Sequence, residues 1–177
     1  PGGDRSGLSV LYGDYEVRWL SLPRVSEEVE GKRPDHVLEL FGVFKRPVLL
    51  SIESKERSSD LEENVGAGLV NYIRNLMDYI PNVKRRFYPR TGEWVRSESF
   101  VAFDAFKIIS AAAYLRGSAQ ANRIVFERSN CDMLFIMEPV EHSWEIEIVA
   151  ATREAEVLKA FICDKIIESG FPDIIVF

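Results

Sequence analysis

Along the first third of the chain, short stretches of apolar residues recur at the length of strands. Tyr15-Glu16-Val17-Arg18-Trp19-Leu20 alternates for most of its length, as a half-buried strand does. Two more short apolar stretches follow, Pro34-Asp35-His36-Val37-Leu38-Glu39-Leu40 and Val48-Leu49-Leu50-Ser51-Ile52-Glu53-Ser54-Lys55-Glu56, joined through Gly42 to Pro47. The three predict a meander of neighbouring strands. Ser26 to Gly31 reads as an acidic, glycine-ended turn, and Pro47 falls at the mouth of its strand, where a missing N–H does little harm.

The period then changes. Leu61, Val65, Leu69, Tyr72, Ile73 and Leu76 recur at helical spacing behind Asp60-Leu61-Glu62-Glu63, an N-cap aspartate with a glutamate three residues on, so a helix is predicted over 60–79. Gly66 and Gly68 inside it cost roughly 1 kcal/mol each relative to alanine. They mark either a close approach by another backbone or a locally weak helix. Pro81 ends this helix, and 82–96 has no clear period. Phe103, Phe106, Ile109 and Ala113 lie on one helical face, predicting a second helix over 99–116. Cys131 to Met137 and Trp144 to Ala150 read as strands turned at 138–142. Thr152 to Glu168 reads as a helix with Thr152 as its cap, and Ile174 to Phe177 as a last strand. The fold class predicted is α/β, a mixed central β-sheet flanked by helices, with no internal repeat.

Composition narrows the setting. A chain of 177 residues, 46% hydrophobic and 28% charged, suits one soluble domain with a sizeable core. Pro1-Gly2-Gly3-Asp4-Arg5-Ser6-Gly7 reads as a flexible linker, leaving 8–177 as a single domain; the start at Pro1 points to the C-terminal part of a longer protein. No apolar run is long enough to span a membrane, and no signal peptide is evident. Two cysteines, Cys131 and Cys163, fit a reducing cytoplasm, although one disulfide stays possible. Two histidines without metal-ligand spacing argue against zinc. A Gly-rich phosphate loop and a G-x-S-x-G elbow are both absent, so nucleotide-binding and serine-hydrolase readings find little support.

The chemistry-bearing residues sit on the paired stretches. Neighbouring strands would bring Asp35 and Glu53 together, and period two places Lys55 on the face of Glu53 and Ser51, with Leu50, Ile52 and Ser54 on the other. Two carboxylates beside a lysine suit a hard divalent cation and a phosphate. The net charge of −6 argues mildly against nucleic acid. Lys84, Arg85, Arg86, Arg90 and Arg96, interleaved with Phe87, Tyr88 and Trp94, offer local positive charge against a phosphate backbone.

Pro34-Asp35 followed by Glu53-Ser54-Lys55, with a helix next, resembles the PD-(D/E)XK nuclease superfamily. The resemblance rests on about twenty-five residues. It implies a restriction-endonuclease-like core of three strands, a crossover helix and a further strand; the helix that usually precedes the first strand is not found. It implies an Mg²⁺-dependent DNA endonuclease, restriction-type, with Mn²⁺ as a substitute. Asp35, Glu53 and the Ser54 backbone carbonyl would be the metal ligands. Lys55 would orient or deprotonate the attacking water or neutralise developing charge. By the same analogy a homodimer would cut both strands. Two rivals remain: an RNA- or junction-cutting nuclease of the same fold, and a non-catalytic nuclease-like binding or scaffold module.

Each residue also has an ordinary reading. Asp35 can be a turn residue after Pro34, and Glu53 and Lys55 solvated strand charges. Glu28, Glu30 and Glu56 read as solvated acids, His36 as a core or edge histidine, and Glu39 as a structural acid on Asp35's face.

Overall fold

A computed structural model describes residues 10–12, 15–20, 31–40, 42–79, 85–88, 93–96, 107–170 and 172–177. The predicted linker over 1–7, most of the turn at 26–31 with Glu28 and Glu30, and Pro81 lie outside them. So do Lys84, Arg90 and the first part of the predicted helix over 99–116.

The predicted meander is present as β2 (Tyr15–Leu20), β3 (His36–Leu40) and β4 (Val48–Arg57), each antiparallel to the next, with β1 (Val10–Tyr12) antiparallel to β2. A 3₁₀ turn over Ser58–Asp60 leads to helix α1 (Val65–Tyr79). Strand β7 (Lys107–Leu115) returns parallel to β4, and helix α2 (Ala119–Ser129) leads to β8 (Met133–Val140), parallel to β7. The chain turns into β9 (Ser143–Ala150), antiparallel to β8, then forms α3 (Arg153–Ser169) and β10 (Ile174–Val176), parallel to β9. Among the described residues, strands β5 (Arg85–Tyr88) and β6 (Glu93–Arg96) pair only with each other. Among the described residues the main sheet is ordered β1-β2-β3-β4-β7-β8-β9-β10. The fold is therefore α/β, a mixed sheet flanked, among the described residues, by three helices.

Alternation sends side chains to both faces of this sheet, and each face has its own apolar layer. Leu40, Val48, Leu50, Ile109, Ala111, Met133 and Ile148 pack with Ala155 and Leu158 of α3 on one side. On the other, Ala112, Tyr114, Leu134 and Ile136 pack with Leu61, with Val65 and Leu69 of α1 and with Val125 of α2. Thr152 caps α3 as expected, its side chain accepting from Ala155 N–H at 3.2 Å. Among the described residues no helix is long and apolar enough to cross a membrane.

Three expectations need correction. The predicted helix over 99–116 is, from Lys107 to Leu115, the strand β7. Its run of alanines has helix propensity, but β7 lies between two parallel strands with helices over both faces. Such a strand reads as a near-continuous apolar run, Ile108 to Leu115 with Ser110 as its one polar residue, rather than an alternation. The helix predicted from residue 60 starts at Val65, with Gly68 N–H bonding Asn64 O at 3.2 Å. Asp60 belongs to the 3₁₀ turn, and Asn64, at φ +55°, reorients the chain ahead of the helix. The segment 82–96, read as an aperiodic loop between helices, contains the β5–β6 hairpin, and α2 falls in a stretch where no element was predicted.

The two glycines of α1 record close packing. A Cβ on Gly66 would stand 2.1 Å from Asn130 O and 2.8 Å from Cys131 Cα. The helix therefore lies directly on the backbone that leads from α2 into β8.

Burial also sets an alkaline limit. It pushes the Tyr114 phenol up to about 12 and the Cys131 thiol up to about 11, and the Tyr114 hydroxyl has no hydrogen-bond partner among the described residues. Both groups stay neutral in the fold at a pH where the unfolded chain ionises, so the native state binds more protons. Their contribution is complete below roughly pH 9 and is lost as pH rises through 11 to 12. The urea midpoint is expected to fall over this window, and to fall less steeply in a Tyr114→Phe, Cys131→Ala double variant. An equal slope in both proteins would refute the assignment. Both cysteines are free thiols, Cys131 buried and Cys163 only half so.

Candidate active site

Strand β4 carries the candidate residues on the face predicted. Leu50 and Ile52 belong to the α3 side, and Ser54 lines an apolar cavity of about 450 Å³ there, together with His36, Leu38, Phe135 and Ile162. Ser51, Glu53 and Lys55 point the other way. Ser54 can thus offer the opposite face only its backbone, which fits the ligand role the resemblance implies for its carbonyl. His36 turns from Asp35 as expected.

Glu53 is not a solvated strand charge: it is 2% exposed. Its Oε1 is held by Lys55 Nζ at 2.7 Å and by Lys32 Nζ at 3.3 Å. Its Oε2 is buried and has no hydrogen-bond partner among the described residues. A bare buried polar atom costs roughly 1–3 kcal/mol, and more where it is charged. Such an atom calls for an explanation, and an ion is among the standard ones.

Asp35, exposed just before β3, approaches the same stretch of β4. The β3–β4 ladder runs as far as His36 opposite Ile52. At Asp35 the backbone bends, its N–H bonding Ile52 O at 3.0 Å, and Asp35 Oδ2 accepts from Ser54 N–H at 2.8 Å. The Asp35 carboxylate is therefore fixed on the peptide between Glu53 and Lys55. Pro34, buried just before it, brings the chain to this bend. Glu39 is also buried, two residues past Val37 on β3 and away from this end.

Two residues that sequence reasoning missed complete the cluster. Lys32 ion-pairs with Glu53 and also with Glu62, which is largely exposed ahead of α1. The hydrogen bond to Glu62 holds the Lys32 ammonium above its ordinary range, with the Glu53 charge adding to it and burial opposing. The same bond holds the Glu62 carboxyl below the usual carboxylate range. Lys32 is placed by its backbone: its N–H donates to Gly68 O at 3.0 Å. Gly31, at φ +109°, has no room for a Cβ, which would stand 2.5 Å from Tyr72 N. The signal in the sequence was the glycine before Lys32, matched to Gly68 on the predicted helix.

Three carboxylates and two ammonium groups thus share this region. Among the described residues no group of three or more His, Cys, Asp and Glu could hold a metal ion. The donor set is instead two carboxylates with a backbone group. That suits Mg²⁺, which usually keeps several waters and takes one or two carboxylates plus substrate phosphates. It does not suit zinc, which wants four ligands. The orphaned Glu53 Oε2 gives such an ion a protein oxygen to bind.

Of the predicted basic cluster, Arg85 and Arg86 fall on β5 and Arg96 on β6, with Arg85 and Arg96 register partners and Phe87 opposite Trp94. No protein-family model, curated protein or solved structure matches the chain.

Proposed function

We propose that this chain is a metal-dependent nuclease, with Asp35, Glu53 and Lys55 as its catalytic residues and duplex DNA as its substrate. The observation that carries the reading is Glu53, a buried carboxylate clamped by lysines at one oxygen and bare at the other. The Asp35 carboxylate sits one peptide away. The resemblance to the PD-(D/E)XK superfamily supports it, as does the passage from a β2–β3–β4 meander through α1 to a parallel β7.

Asp35, Glu53 and the Ser54 backbone would hold Mg²⁺ or Mn²⁺. When bound, the ion lowers the pKa of its water and polarises a phosphoryl oxygen. The protein's own part follows from the geometry. Glu53, locked by Lys55, presents its oxygens without needing to reorganise, which is the basis of electrostatic preorganisation. Lys55 reaches the phosphate-facing end of β4 with its side chain 30% exposed, so it can donate to a phosphate oxygen or orient the attacking water. Arg85, Arg86 and Arg96, with Lys84 and Arg90, are assigned to the phosphate backbone. They would contribute affinity that falls with added salt. A two-fold dimer would place two such sites on opposite strands.

The test is supercoiled plasmid incubated with the purified chain and Mg²⁺ or Mn²⁺, beside a chelator control, a four-way junction and a structured RNA. Nicked or linear plasmid in the metal lanes alone is expected. Cutting confined to RNA or the junction would move the substrate and keep the site. No cutting, with no Mn²⁺ bound by the chain, would leave a scaffold and end the nuclease reading.

A further inference from the structure

We infer that Lys32 is a tethered cation standing in the position between Glu53 and Glu62 that a second metal ion would need. The site then takes a single divalent ion, on the Asp35 side of Glu53. This rests on the nuclease reading above and states how many ions that site can use.

The position is cation-binding because it already holds a cation. Lys32 Nζ contacts Glu53 Oε1 and Glu62 Oε1 together. A metal ion would have to sit about 2.1 Å from those oxygens, in space the ammonium fills. Lys32 is also not a surface lysine that has drifted in. Its N–H is bonded to Gly68 O, and the approach of 31–32 to α1 is so close that Cβ atoms fit on neither Gly31 nor, without a shift, Gly68, where one would stand 3.2 Å from Lys32 Cβ. The backbone is thus seated on the helix, and the side chain crosses from it to Glu53.

The arrangement divides the two oxygens of Glu53. Oε1 is shared by two ammonium groups, Lys55 at 2.7 Å and Lys32 at 3.3 Å, and Oε2 is buried without a partner among the described residues. Oε2 is the oxygen left for a divalent ion with Asp35. Charge is consistent with this: a lysine supplies one positive charge between Glu53 and Glu62 without recruiting an ion from solution. The transferring phosphate would then meet one metal ion and two fixed ammonium groups.

The stoichiometry of Mn²⁺ binding, measured by titration calorimetry and by the electron-resonance signal of free Mn²⁺, tests this apart from any cleavage. The parent is expected to bind one ion per chain. Lys32→Met should admit a second ion, which Lys32→Arg should not. Adding Glu62→Gln to Lys32→Met should remove that second ion. Glu62→Gln alone, at an exposed position, should leave the single ion in place. Two ions in the parent, one ion in a folded Lys32→Met, or loss of the ion in Glu62→Gln would each overturn the inference while keeping a metal site. A parent that binds no Mn²⁺ would overturn both the inference and the nuclease reading beneath it.

Discussion

Replacing Gly66 with alanine is expected to destabilise the fold by about 2 kcal/mol, against the direction that helix propensity alone predicts. On propensity, alanine in mid-helix is better than glycine by roughly 1 kcal/mol. The packing effect is opposite and larger. The new Cβ would stand 2.1 Å from Asn130 O and 2.6 Å from Asn130 C. These are backbone atoms of a segment tied at several points: Asn64 N–H bonds Arg128 O at 3.0 Å, and Asn130 Nδ2 bonds Asn64 Oδ1 at 2.7 Å. Neither side can relieve the clash by rotating a side chain. The helix must move off the sheet, losing contacts of Val65 and Leu69, and overpacking of this kind costs roughly 1–3 kcal/mol, occasionally more. Urea midpoints of the parent and variant decide it. An alanine variant as stable as the parent, or more so, would mean that α1 does not lie against residues 130–131. The same shift would carry Gly68 away from Lys32, so a folded Gly66→Ala protein should also show a disturbed Lys32–Glu53 ion pair.

Glu53→Ala and Lys55→Ala are expected to separate metal binding from cleavage. Removing Glu53 takes away the buried carboxylate on which both ammonium groups converge. The variant should lose Mn²⁺ binding and cleave at least about 10³-fold more slowly. Because it also leaves two lysines without their counter-charge, Glu53→Gln, of nearly the same shape, belongs beside it as a control for folding. Lys55→Ala leaves Asp35, Glu53 and the Ser54 peptide in place. It should still bind the ion while slowing cleavage by about 10²–10⁴-fold, the usual contribution of a positioned proton-transfer group. Wild-type cleavage by a folded Glu53→Ala protein would rule out this strand as the active site. Loss of ion binding in Lys55→Ala would mean that the lysine acts by holding Glu53 rather than by meeting the substrate.

The strand pair that carries Asp35 and Glu53 was legible because a half-buried strand writes its two faces in alternate residues. Alternation also found β2, short apolar stretches found β8, β9 and β10, and the Thr152 cap announced α3. The faces of β4 could be assigned before any coordinates, since side-chain direction on a strand follows parity alone. Parity did not say which face would be covered. That Glu53 is buried, and so no ordinary strand charge, depends on α1 and Lys32 lying over it.

Where the local pattern failed, the cause was tertiary. Ile108 to Leu115 has alanines that favour a helix, and nothing nearby contradicts them. It becomes a strand because β4 and β8 pair with it on both sides, and non-local hydrogen bonding overrides a propensity of a few tenths of a kcal/mol per residue. Gly66 and Gly68 left two readings open, and the close approaches of Asn130 and Lys32 decided between them. Lys32 and Glu62 were invisible for a related reason: each is an unremarkable charge in its own stretch, and only the helix that brings residues 31–32 and 62 together over Glu53 makes them a site. The sequence by itself determined the alternating strands, the capped last helix and the positions of Asp35, Glu53 and Lys55, because these follow from spacing within a few residues. The tertiary structure alone decided that β7 is a strand, that Glu53 is buried with one oxygen bare, and that Lys32 stands between two carboxylates. Those depend on contacts between residues far apart in the chain.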